Sequence, residues 1–84
     1  MISEGKTLLD QKIKKTIADF FKINIELVNN DLTVGDIQQW DSLGHIGLIT
    51  HFEKEFDISI DVDQSLEMES VEDIVEIISE ILGE

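Results

Sequence analysis

The chain has no cysteine among its 84 residues. That excludes a disulfide framework and a thiolate metal site, so a domain this small is held by packing alone, and any thiol chemistry has to use a thiol from elsewhere. No apolar run approaches the roughly 20 residues of a membrane span, and the N-terminus lacks the apolar stretch of a secretory signal, so the expected location is the cytoplasm. Repeats and low-complexity tracts are also missing. Positive charge is scarce and confined. Lys6, Lys12, Lys14, Lys15 and Lys22 stand against three acids in residues 1–22, whereas Lys54 alone stands against sixteen acids in residues 23–84. A net charge of -13 repels nucleic acid and anionic lipid and steers basic protein surfaces toward the chain. An acidic surface that serves only solubility has the same composition.

What is present is enough for one fold. With 42% hydrophobic and 30% charged residues, the chain has the composition of a globular domain rather than of a disordered tail. Residues 1–84 are read as a single domain, monomeric, hiding roughly 60 to 65% of the surface its unfolded chain exposes. Three segments have helical periodicity. The first runs from about Thr7 to Phe21, with Leu9, Ile13, Ile17, Phe20 and Phe21 in one stripe. The second is "QQWDSLGHIGLITHFEKEF", in which Leu48, Ile49, Phe52 and Phe56 share a side. The third follows Ser70, with Val71, Ile74, Val75, Ile78, Ile81 and Leu82 in register, a capping box expected at Ser70 and Asp73, and Gly83 as its stop.

Two connections join them. Residues 23–41 are long and polar but carry Ile25, Leu27, Val28, Leu32, Val34 and Ile37, which suggests a loop pinned across the bundle. "DISIDVDQSLEMES" begins with a strand-like alternation that has no partner, and is read as an extended link followed by a short helical turn near Gln64 to Met68. The expected fold is all-α: a small antiparallel bundle of three main helices plus a short fourth.

Ser42 is the residue that raises a chemical question. Ser and Asp before an apolar run make an ordinary helix start, in which the hydroxyl serves as a cap. A serine hydrolase fits poorly: the nucleophile elbow requires glycine two residues before and after the serine, and Trp40 occupies the earlier place. His45 lies one turn on, without an evident orienting carboxylate. A phosphate ester on a hydroxyl at a helix N-terminus, by contrast, is favoured by free backbone amides and the helix dipole.

"WDSLGHIGLI" resembles the Asp-Ser-Leu attachment motif of acyl carrier proteins and the related peptidyl carriers, and the likeness extends over nearly the whole chain. A lysine-bearing first helix, a long loop ending in Asp-Ser-Leu, a second helix ending "HFEKEFDISI" and a last helix opened by "SVEDIV" follow the family's order. The resemblance implies that Ser42 receives 4'-phosphopantetheine from coenzyme A through a Mg-dependent phosphopantetheinyl transferase, and that the arm's thiol carries an acyl or aminoacyl group as a thioester. It implies that Asp41 and Leu43 help the transferase recognise the site, and that Ile46 is an exposed apolar contact for visiting enzymes. The further partners implied are acyl- or aminoacyl-loading and processing enzymes; neither nucleic acid nor membrane is among them, and the chain is not itself an enzyme. The absence of cysteine leaves the arm's thiol without competition.

The second helix departs from the fatty-acid-synthesis carriers, whose second helix is densely acidic. Here the positions read as exposed include Gly44, His45, Gly47, Thr50, His51 and Lys54, with Glu53 and Glu55 as the acids. The reading is therefore a stand-alone acyl carrier of a dedicated polyketide-like, fatty-acid-like or other pathway. An aminoacyl or peptidyl carrier and, in another class, an unmodified acidic interaction module are its alternatives. Trp40 is read as an anchor of the long loop, and His45 and His51 as solvated side chains. Asp61, Asp63, Ser65, Glu67 and Glu72 have EF-hand spacing, but Leu66 replaces the glycine of the sharp turn, so at most weak divalent binding is expected.

Overall fold

The computed structural model describes residues 4–83. It is an all-α bundle: α1 (Glu4–Phe21), a 3-10 turn (Ile25–Leu27), α2 (Ser42–Phe56), α3 (Val62–Glu67) and α4 (Val71–Leu82). The three amphipathic stripes expected from periodicity are the core. Leu9, Ile13, Ile17 and Phe21 of α1 meet Leu48, Ile49 and Phe52 of α2 and Val71, Ile74, Val75 and Ile78 of α4 in one buried cluster. Phe20 and Phe56 are only partly buried and pack against its edge.

Local chemistry sets the helix ends. α1 and α2 stop in the same way, with Lys22 (φ 59) and Asp57 (φ 54) in the left-handed region. The next amide returns to the helix each time, Ile23 N–H to the Ala18 carbonyl and Ile58 N–H to the Glu53 carbonyl, both at 3.0 Å, and the isoleucine folds back against the core. Neither residue is glycine, so each carries a left-handed backbone that costs a side chain about 1 kcal/mol. Ser70 caps α4 as expected, its hydroxyl accepting the Asp73 amide, and Gly83 (φ 77) ends it. The reciprocal capping box, however, belongs to α3, where Asp61 accepts from Gln64 N–H while the Gln64 side chain accepts from Asp61 N–H. That box starts α3 at Val62, two residues earlier than the alternation of the link suggests.

The long connection is pinned at fewer points than its apolar content implies. Val28, Leu32 and Trp40 are buried, Ile37 is half-buried, and Ile25, Leu27 and Val34 remain exposed. The connection is also held by an antiparallel bridge between Thr33 and Ser70, with Val34 N–H on the Glu69 carbonyl at 3.0 Å and Val71 N–H on the Leu32 carbonyl at 2.9 Å. The partner for extended chain is thus the start of α4, not the strand-like "DISID".

Candidate functional site

The start of α2 is built from the loop side by Trp40, which is fully buried. Its amide bonds the Ile37 carbonyl (3.1 Å), and its carbonyl accepts from Gly35 N–H (2.8 Å), where φ of 93° suits glycine. Its indole N–H donates to His45 Nδ1 at 3.0 Å. The other ring nitrogen, Nε2, lies 2.9 Å from the Ser65 carbonyl of α3. An indole N–H can only donate, so Nδ1 is the acceptor and Nε2 carries the proton that Ser65 accepts. The anchor role expected of Trp40 holds. His45 is not solvated, contrary to expectation; it is half-buried and joins the loop, α2 and α3.

The cap of α2 is Asp41, not Ser42. The Asp41 backbone is extended, its carboxylate accepts from Gly44 N–H at 2.8 Å, and its carbonyl accepts from His45 N–H at 2.8 Å. A carboxylate is the stronger acceptor for an amide and takes that bond. Ser42 is therefore the first helical residue, exposed, and its hydroxyl bonds none of the described residues. The other described serines differ: Ser70 accepts an amide, Ser65 donates to the Val62 carbonyl, Ser79 is buried, and Ser59 is exposed in the extended link, away from any helix start.

The two glycines of α2 find their reason here. A Cβ on Gly44 would overlap the Gln39 carbonyl, and one on Gly47 would stand 3.0 Å from Phe20 Cζ. The loop end and α1 press against the first turns of α2 at those points, which offsets the roughly 1 kcal/mol each glycine costs a helix. Gly44, His45 and Gly47 are accordingly half-buried rather than exposed, while Thr50, His51 and Lys54 are exposed.

A groove of about 460 Å³ is lined in part by Ser42. Ile46, Ile49 and Thr50 of α2 and Val62 and Leu66 of α3 line it, together with Val34, Ile60 and the carboxylate-bearing Asp61. Large apolar side chains of its lining are exposed, Val62 by 72%, Leu66 by 69% and Ile46 by 63%, and Leu43, the neighbour of Ser42 outside the lining, is 80% exposed. Both imidazole nitrogens of His45 are engaged away from Ser42, so the pair does not form a nucleophile and base. The EF-hand spacing is consumed by folding: Asp61 is the α3 cap, Asp63 and Ser65 lie within α3, and Glu72 lies in α4.

The family model described as "Phosphopantetheine attachment site" matches residues 11–78, most of the chain. The chain belongs to that family. It is a phosphopantetheine-carrying carrier protein, and its prosthetic group is covalently attached 4'-phosphopantetheine. The residues of this carrier fit such a group: an exposed hydroxyl with no partner among the described residues, the amides of Ser42 and Leu43 at the start of a 15-residue helix, where the Asp41 carboxylate takes that of Gly44, to face a phosphate, and a mainly apolar groove beside it. Carrier domains of this family meet modifying and processing enzymes, and no helix among the described residues of this one is long and apolar enough to cross a membrane.

Proposed function

We propose that Ser42 bears the 4'-phosphopantetheine of this carrier and that residues 1–84 work as one acyl carrier domain, monomeric, cytoplasmic and without catalysis of its own. The observation that supports this most is the hydroxyl of Ser42, bonded to none of the described residues, exposed at the first residue of α2 and part of the lining of the groove. The bound group supplies a thiol on which cargo is carried as a thioester. The chain contributes presentation. Asp41 holds the helix start through Gly44 N–H, Trp40 ties the preceding loop into the core, and the amides of Ser42 and Leu43 face the ester phosphate. Leu43 and Ile46, both largely exposed, give the phosphopantetheinyl transferase and later partners an apolar contact beside Ser42, with Asp41 marking its polar edge.

The lining of the groove is mainly apolar, through Ile46, Ile49, Val62 and Leu66, which favours acyl cargo, while the Asp61 carboxylate in the same lining is what an aminoacyl ammonium would pair with. The exposed face of α2 supports a dedicated pathway: Thr50, His51 and Lys54 stand where dense acids would recruit basic fatty-acid-type enzymes, and charge of that kind mainly sets on-rate and discrimination. Incubation with coenzyme A, Mg and a broad-specificity phosphopantetheinyl transferase should add one arm to the intact mass. An unchanged mass across several such transferases would favour an unmodified interaction module instead. Loaded protein should then react more slowly than a housekeeping carrier with a fatty-acid ketosynthase or malonyl transferase, and equal rates would remove the dedicated-pathway reading.

A further inference from the structure

α3 is the least anchored wall of the groove. It has six residues, none of them buried, and runs between an extended link and the buried Met68. Its capping box and its backbone bonds, Ser65 N–H to the Asp61 carbonyl and Met68 N–H to the Ser65 carbonyl, are all local. Among the described residues, the one hydrogen bond between α3 and another element is that from His45 to the Ser65 carbonyl, 2.9 Å. The same ring accepts the indole N–H of the buried Trp40 and lies nearly parallel to it, 24° between planes.

We propose that His45 is a positioning residue that latches α3 against α2, and that the latch opens when its imidazole takes a second proton. Only the neutral ring with the proton on Nε2 makes both bonds. Protonated at Nδ1, the ring sets one N–H against the indole N–H, and a buried indole left without an acceptor costs more than the bond itself contributed. The ring must then turn, and Nε2 leaves the Ser65 carbonyl. The acids on the surrounding elements are Asp36 on the loop, Asp41 at the head of α2, and Asp61, Asp63 and Glu67 around α3. None is hydrogen-bonded to His45; Asp36, Asp41 and Asp61 accept the amides of Thr33, Gly44 and Gln64. Release of α3 widens the groove that Ser42 lines, so the room offered to cargo follows the protonation of His45. That consequence for cargo rests on Ser42 bearing the arm, whereas the latch does not.

Trp40 is the only tryptophan and tyrosine is absent, so intrinsic fluorescence reports on the latch directly. The unmodified full chain is titrated from about pH 8 to about pH 5, where imidazoles gain their proton. Trp40 emission and the amide-exchange protection factors of residues 62–67 are followed together. Emission should fall in one step as the stacked ring becomes cationic, and α3 protection should fall about two- to tenfold in the same step, the population change that follows loss of one hydrogen bond. His51→Gln should keep both steps. His45→Ala should lose both and show the low α3 protection throughout. An emission step without a change in α3 protection would overturn the proposal, as would wild-type protection in His45→Ala. Should that variant fail to fold, the paired titrations of wild type and His51→Gln decide by themselves. Because the arm is not involved, failure here leaves the assignment of Ser42 standing, and failure of transferase modification leaves the latch standing.

Discussion

Ser42 and Ser70 both stand at the start of a helix, yet only one keeps a free hydroxyl. At α4 the residue before Ser70 is Glu69, too long for a cap, and the serine takes the cap place, accepting Asp73 N–H at 3.1 Å. At α2 the residue before Ser42 is Asp41, which takes the cap itself and binds Gly44 N–H at 2.8 Å. Ser42 is thereby moved one place into the helix, exposed and bonded to none of the described residues. One preceding residue thus decides whether a serine is consumed by folding or left available for chemistry, because Asp and Ser compete for the same cap while Glu does not.

The largest test of that contrast is modification itself. With transferase, coenzyme A and Mg, Ser42→Ala should lose all mass addition, whereas Ser70→Ala should be modified like wild type. An arm on Ser42→Ala, or its loss in Ser70→Ala, would reverse the roles of the two serines. Next comes the third helical residue of each start. Gly44→Ala should destabilise the chain by about 1 to 3 kcal/mol, because the new methyl meets the Gln39 carbonyl and the loop has to move. Asp73→Ala should cost under about 1 kcal/mol, the worth of an acid near a helix N-terminus. Urea midpoints at constant slope would measure both, and a neutral Gly44→Ala would mean that the loop is not pressed against α2.

The caps themselves should follow. Asp41→Ala and Ser70→Ala each remove an acceptor for a first-turn amide and should each cost about 0.5 to 2 kcal/mol. The smallest effect belongs to Ser42→Ala. It removes no bond among the described residues, so its stability should stay within about 0.5 kcal/mol of wild type by denaturant titration. A loss of cap size there would show that Ser42, not Asp41, holds the start of α2.

Much of the fold was legible in the residue order. The stripes of α1, α2 and α4 predict their own burial, since periodicity alone decides which side of a helix is apolar. Ser70 as a cap, Gly83 as a stop and Trp40 as an anchor are equally local readings. The candidate site was legible as a motif, through Asp41, Ser42, Leu43 and Ile46. The engaged state of His45 is not legible in the sequence, because its partners are a side chain five residues back and a carbonyl twenty residues on, and no periodicity reports such pairs. The exposure of Ile25, Leu27 and Val34 is hidden for a related reason: apolar content signals a tendency to bury, not whether a surface is available.

The sequence by itself determined the helical class, the faces that form the core, the acidic surface and the hydroxyl on which the motif centres, because each depends on neighbours within a turn or on composition. Only the tertiary structure decided that Asp41 rather than Ser42 caps α2, that Gly44 and Gly47 are sites of close approach by the Gln39 carbonyl and Phe20, and that Trp40, His45 and Ser65 form one chain of hydrogen bonds. These depend on which atoms meet after the loop and α3 have folded onto α2, and contacts between segments distant in sequence are set by the packing of the whole core rather than by any local pattern.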